Sequence, residues 1–383
     1  MKTRKRLGAL LAQTAWVVAI GSGVPAAWAA DPINIGMIAP TTGVMATVGQ
    51  RQLATAQWWE GEVNGKGGIK GRPVRLIHCN DEANPEKAVS CVRDLLARGS
   101  VLLINSSVTG PIRATMPLIR NGPVMVTPSP NVMPEPSSYV FQTSPSDMDL
   151  TRALVEYLHR SKVDSIGVIA ATDASGELGV NTVKTLLPAS SIKFHLARID
   201  LRATDASIQL AQVAKSDVRL IYSTYSGGGA ATVVKSFNNL GLEQPLVVSY
   251  ANLSDQFIAL IRNDMPRRLL GLGLKGVVPE LLADPAERER VAYFARAWQQ
   301  AKGDSIDQLN LNALTLVDTI EAILRNGPDT ADAAAVKAWL EKTPVRSFQT
   351  LRFSPQSHIG MNESHAAILE YKGGRWVPAP PVQ

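Results

Sequence analysis

Cys79 and Cys91 are the only two cysteines in the chain, 12 positions apart, with His78, Asp81 and Glu82 around the first. Such groups can ligate a metal, cycle between redox states or close a disulfide. Neither C-x-x-C nor H-x-x-x-H spacing occurs, which makes a metal the lesser alternative. In an exported chain an isolated pair is expected to be a disulfide, and a loop of this length contributes about 3 kcal/mol when its geometry is relaxed.

Reacting groups for catalysis are harder to find. The chain has no G-x-S-x-G elbow, no H-E-x-x-H and no G-x-x-x-x-G-K-[ST] loop, and its five histidines (78, 159, 195, 358, 365) are scattered. GLGLKG (271–276) matches G-x-G-x-x-G, but it precedes VVPELL instead of opening a helix, so a dinucleotide site is not expected. Asp81 and Glu82 are paired acids, a pattern that at a strand end usually means solvation or capping. The reading is a non-enzyme without cofactor or metal.

Four hydroxyl- and glycine-rich loops remain: INSSVTGP (104–111), TPSPN (127–131), TDASGELG (172–179) and STYSGGGAA (223–231). Hydroxyls beside the free N–H groups of helix starts can hold a carboxylate without any fixed positive charge. Each loop alone reads more readily as a helix cap. Four at the ends of predicted strands suggest a common edge.

The elements that must carry these loops alternate. Apolar runs at 33–39, 74–79, 101–104 and 124–127 are separated by helical stretches near 47–64, 85–99 and 112–121. A second series has strands at 165–171, 191–199, 218–223 and 245–250, and helices near 147–161, 177–187, 205–215, 229–240 and 254–262. Three helices follow across 284–342, then strands at 349–355 and 365–371. Short apolar strands between amphipathic helices predict parallel sheets covered on both faces. Two doubly wound lobes with the chain crossing between them fit this order. Gly65, Gly67, Gly68 and Gly71 turn the chain into the second strand, which ends at Cys79. The disulfide would therefore staple that strand to the next helix, at the edge where open α/β sheets bind ligands.

The N-terminus reads as an address. MKTRKR precedes a largely apolar stretch and the small-x-small site Ala27-Trp28-Ala29, the pattern of a cleaved secretory signal over 1–29. A retained transmembrane anchor is the alternative. Lys2, Arg4, Lys5 and Arg6 would leave with the signal, so 39 basic residues become 35 against 33 acidic, and +6 becomes +2. The basic balance thus belongs mostly to the signal, and a nucleic-acid partner is not expected.

The segments IGMIAPTTGVMATVGQ, EVNGKGGIKGRPVRL, NDEANPEKAV, NGPVMVTPSPN and YVFQTSPSDMDLTRAL together resemble the branched-chain amino acid family of periplasmic solute-binding proteins, which serve ATP-binding cassette importers. N-x-x-GGI-x-GRPV is the most distinctive piece. The resemblance implies a type I periplasmic binding protein fold, α/β, with two doubly wound parallel-sheet lobes joined by three crossovers. The first lobe would comprise 31–143 plus 279–351, the second 146–277 plus 355–383, with hinges near 142–147, 276–281 and 350–356. It also implies a periplasmic monomer whose partners are a small-molecule ligand and a membrane permease. The same closing device would equally serve a sensor that reports to a receptor.

Carried over position by position, the ligand carboxylate would meet Ser106, Ser107 and Thr109, with Ser129 and Asn131 from the next loop. Tyr225 and Tyr250 would face it from the second lobe. Val48 and Ser175 stand where relatives carry aromatics, which enlarges the cleft. SYAN, around Tyr250, lacks the acid that would meet an amine, and a buried ammonium without an acceptor is costly. The expected solute is a small carboxylate: a branched-chain amino acid by family analogy, or an aromatic or aliphatic acid in which the amine is absent or unimportant.

Overall fold

The computed structural model describes residues 30–200, 202–227 and 229–382; the expected signal at 1–29 lies outside the described residues. The first sheet is built from β1 (Ile33–Ile38), β2 (Val74–Cys79), β3 (Leu102–Asn105), β4 (Met125–Thr127) and β5 (Val140–Gln142), all parallel, in the order β2-β1-β3-β4-β5. Between them run α1 (Ala46–Gly65), α2 (Pro85–Ala97) and the short α3 (Thr109–Thr115). Leu102–Asn105 and Met125–Thr127 are buried throughout, as strands covered on both faces must be.

The second sheet repeats the same winding. It comprises β6 (Ser165–Ala171), β7 (Lys193–Ile199), β8 (Leu220–Ser223), β9 (Leu246–Val248) and β10 (Leu269–Leu274), in the order β7-β6-β8-β9-β10. The intervening helices are α4 (Asp147–Arg160), which leads into β6, then α5 (Ala174–Ala189), α6 (Ser207–Val213), α7 (Ala230–Asn239) and α8 (Asp255–Leu260). The chain then returns to the first sheet with α9 (Pro285–Lys302), α10 (Gln308–Asn326) and α11 (Ala333–Leu340); α10 packs on α1 and β4. A final crossing delivers β11 (Ala366–Lys372) and β12 (Arg375–Pro378) to the second sheet. The architecture is two doubly wound lobes with three crossovers.

Three features differ from the sequence reading. The second sheet is not wholly parallel, because β11 and β12 add an antiparallel edge to β10. The strand expected at 349–355 does not form. Leu351 and Phe353 are buried, Phe353 lying edge-on to Phe141 at 5.1 Å, and the segment makes only local bridges, Val345 to Leu351 and Ser354 to Ser357. Its apolar alternation serves a packed connection, and Pro355 denies it a ladder donor. Conversely GLGL belongs to the interior strand β10. A Cβ on Gly271 or Gly273 would stand 2.8 or 2.4 Å from the Leu253 side chain, so its glycines record close packing, not a phosphate loop.

The corner between β2 and α2 is closed by the Cys79–Cys91 disulfide, with Cα atoms 5.6 Å apart. Within it Glu82 and Ala83 hold left-handed φ values of 53° and 58°, a conformation costly for residues with a Cβ. Asn80 Oδ1 accepts from the N–H groups of Thr41 and Glu82, and Nδ2 donates to Thr42 Oγ1. The corner thereby also holds the loop that follows β1. Asp81 is fully buried, and that burial pushes its carboxyl up to about 6. The asparagine cap and Pro85 at the first turn start α2 immediately afterwards.

Replacing both cysteines by serine should lower unfolding free energy by about 2–4 kcal/mol. Urea denaturation of the oxidised protein and the double variant, followed by circular dichroism, checks this.

Candidate functional site

All five parallel strands of each lobe point their carboxyl ends at the same gap, and between them lies a cavity of about 360 Å³. Open α/β sheets bind ligands where the strand order reverses. Here those points are β1/β3 in the first lobe and β6/β8 in the second. The wall includes Ser107, Thr109, Ser129, Asn131, Ser175, Tyr225 and Tyr250. Ser106 and Val48 do not line it. Ser106 is fully buried within the chain's own bonding, its N–H donating to Ile38 O and its carbonyl accepting from Thr127. Val48 is buried on α1, and Val44 and Met45 before it form that part of the wall.

The first-lobe side is a hydroxyl cluster. Gln52 donates to Ser107 Oγ at 2.6 Å, which leaves the serine proton free to point elsewhere. Thr109 and Ser129 share one hydrogen bond at 3.0 Å between their hydroxyls, so one of their two protons is also free. The N–H groups at the start of α3 have no intrahelical acceptor. These donors can hold an anion.

The second-lobe side is shaped by a clamp on the loop after β8. Asn252 donates to Tyr225 O and accepts from Gly227 N–H, while Ser249 donates to the same carbonyl and shares a hydroxyl bond with Ser226. A Cβ on Gly229 would stand 2.3 Å from the Tyr225 hydroxyl, so only glycine admits that ring. Burial pushes the Tyr225 phenol up to about 12. Tyr250 is anchored from the other lobe, its hydroxyl donating to Asn312 Oδ1 on α10. Burial likewise holds its phenol well above the usual range.

The lobes touch across the cavity. Asn131 Nδ2 donates to Ser175 Oγ at 2.7 Å, and a Cβ on Gly227 would stand 2.8 Å from Met45 Sδ. The acids of the wall were not anticipated as site residues. Among the described residues no lysine, arginine or histidine lines the cavity, but three carboxylates do: Glu82, Asp147 and Asp173. The segment around Tyr250 does lack an acid; these three come from other elements. Glu82 pairs with Lys87 at 2.7 Å, and Asp173 caps α5 through Gly176 N–H. Asp147 was invisible in sequence because it reads as one acid of a helix start, SPSDMD. The disulfide corner also contributes more than a neighbouring staple, since Glu82, Ala83 and Pro85 are themselves part of the wall.

Comparison with known proteins gives a consistent result. The family described as periplasmic binding protein matches residues 32–375. A Leu/Ile/Val-binding protein homolog of Brucella melitensis is 25% identical over 90% of this chain and 92% of its own. An extracellular ligand-binding receptor from Rhodopseudomonas palustris HaA2 superposes with a TM-score of 0.81 at 18% identity, covering 92% of this chain and 100% of that one. A solute-binding protein of an ABC transporter from R. palustris, solved with benzoate, superposes with a TM-score of 0.72 at 19% identity, covering 90% of this chain and 95% of that one.

Gly227→Trp should act as a wedge between the lobes. Small-angle scattering should give a larger radius of gyration than wild type, and any cleft ligand should bind at least about tenfold more weakly. Unchanged dimensions would show that this contact does not limit closure.

Proposed function

The chain belongs to the periplasmic binding protein family, and from that premise we propose that it captures a small carboxylate-bearing solute between its lobes and delivers it to the membrane permease of an ATP-binding cassette importer. The observation that carries the reading is the uncharged donor set on the first-lobe wall, with free hydroxyl protons from Ser107 and from the Thr109–Ser129 pair. None of the five histidines lines the cavity, so its serines have no imidazole base within the wall. The work proposed is binding without reaction.

The Brucella relative is named for leucine, isoleucine and valine, and the R. palustris neighbour was solved with benzoate. A carboxylate is common to those ligands. It would dock on Ser107, Thr109, Ser129 and Asn131, with Ser175, Tyr225 and Tyr250 closing over it. The lobes, 31–143 plus 279–351 and 146–277 plus 355–383, would move about hinges near 142–147, 276–281 and 350–356. Closure is stabilised to the extent that the ligand binds the closed state more tightly than the open one. The protein would act as an exported periplasmic monomer, presenting its lobe faces to the permease.

Ser107→Ala and Ser129→Ala should each weaken solute binding by about 1.5–3 kcal/mol, the cost of one hydrogen bond to a charged group, while the melting temperature changes little. Calorimetry with the solute that co-purifies, identified by mass spectrometry, checks this. Unchanged affinity in both variants would move the carboxylate elsewhere.

A further inference from the structure

Glu82 and Ala83 are consecutive residues with left-handed φ, and both line the cavity. Among the described residues no other neighbouring pair without glycine adopts this conformation. Residues with a Cβ stay in it only where their surroundings over-determine it. The local hydrogen bonds are modest. Glu82 N–H donates to Asn80 Oδ1 at 3.1 Å, Ala83 N–H to Asp81 Oδ1 at 3.3 Å, and Asn84 N–H to Asp81 O at 2.8 Å. The Glu82–Lys87 ion pair is exposed, and such pairs contribute little. What remains is the covalent bridge. Cys79 ends β2 and Cys91 lies in the second turn of α2, so the disulfide fixes both ends of residues 80–84.

Neither cysteine lines the cavity, yet the corner they close bears on two further stretches of wall. The first is the loop after β1, which carries Val44 and Met45. Asn80 bonds to Thr41 and Thr42 there, and a Cβ on Gly43 would stand 3.7 Å from Glu82 O. The second is the start of α3, which carries Thr109. A Cβ on the adjacent Gly110 would stand 3.7 Å from Pro85 Cγ. One bridge outside the wall thus underlies three parts of it.

We propose that the Cys79–Cys91 disulfide positions the first-lobe wall by holding Glu82 and Ala83 in their left-handed conformation, so that opening the bridge weakens solute capture. This rests on the cavity being the solute site. Cys91 is buried and Cys79 half-buried, so Cys79 Sγ is the sulfur that a dithiol reductant reaches. The first thiolate of the reductant bonds to Cys79 Sγ, and the Cys91 thiolate leaves and takes up a proton. The second thiolate then displaces the Cys79 thiolate, which is protonated in turn. The protein gains two electrons and two protons, and the dithiol becomes a disulfide. Residues 80–84 are then no longer fixed at both ends, and Glu82 and Ala83 relax toward the regions that residues with a Cβ favour. Glu82 O and Pro85 move with them, and the loop at Gly43 and the start of α3 lose their support. Glycine adopts positive φ freely, so Ala83→Gly keeps more of the corner in place without the bridge.

The test compares the oxidised protein, the protein reduced with dithiothreitol, and Cys79→Ser/Cys91→Ser with and without Ala83→Gly. Phe257→Leu, in the core of the second lobe, controls for lowered stability alone. Hydrogen exchange at labelling times of seconds reads local opening. Without the bridge, the amides of Thr41, Glu82 and Asn84 should exchange at least about tenfold faster, while those of β6 and the corner amides of Phe257→Leu should not. In calorimetry with leucine and with benzoate, a probe that binds the oxidised protein should bind the bridge-free protein at least about fivefold more weakly, and Phe257→Leu as wild type does. Ala83→Gly should recover part of both losses. Corner exchange that is unchanged, or that rises equally in Phe257→Leu, overturns the inference, as does the absence of any recovery by glycine. A loosened corner with unchanged affinity for a bound probe also overturns it and leaves solute capture standing. If neither probe binds, the exchange measurements alone decide whether the bridge positions the wall.

Discussion

Parallel pairing is the constraint from which the rest follows. When strands are joined by helical crossovers, all their carboxyl ends emerge at one edge, and every loop that follows a strand collects there. The chain does this twice with the same strand order, and the two edges face each other. Loops 66 positions apart in sequence, such as those holding Ser107 and Asp173, therefore meet in one cavity. Reversal of the order at β1/β3 and β6/β8 opens the space between them. The hydroxyls need no special chemistry of their own; the winding of the sheets concentrates them.

Rigidity is unevenly distributed around that space. The first-lobe wall is tied to the sheet and to α1, through Gln52, and to the disulfide corner that holds residues 80–84 against the loop after β1. The second-lobe wall is a looped segment held by Asn252 and Ser249. Contacts between the lobes include Asn131 to Ser175, Met45 toward Gly227 and Tyr250 to Asn312 around the cavity, and Leu253 and Asp255 to residues 305–308 away from it. Tyr250 links a cavity wall directly to α10, so a ligand pressing on that ring also bears on the packing between lobes. A wall tied into its sheet thus faces a wall held by a loop clamp.

Electrostatically the cavity is one-sided. Neutral hydroxyl donors cluster on the first-lobe side, carboxylates come from both lobes (Glu82 from the first, Asp147 and Asp173 from the second), and among the described residues no basic side chain lies in the wall. Arg51, the buried cation nearest in sequence to this wall, is already engaged by Asp304, Asp307 and Asn310 and by the face of Trp298. It stabilises the join between α1 and α10 and is not spare for a ligand. The polarity of the site follows from where each lobe places its strand ends.

Much of the fold was legible because it is local. The apolar runs of β6 and β2, the caps of α2 and α4, and the glycine-rich turn into Val74 each signal their element within a few residues. The disulfide followed from cysteine count and export context. Failures came where distant packing decides: GLGL is a strand because Leu253 leaves no room for side chains, and the segment at 349–355 is a buried connection, although its alternation mimics a strand. The hydroxyl loops of the site could be found from strand order, whereas Asp147 could not. Sequence by itself determined most of the strands, helices and carboxyl-end loops, since those preferences are set largely by neighbours along the chain. Only the tertiary structure decided which of those loops face one another and which carboxylates reach the cavity, because burial and pairing are properties of residues brought together from distant parts of the chain.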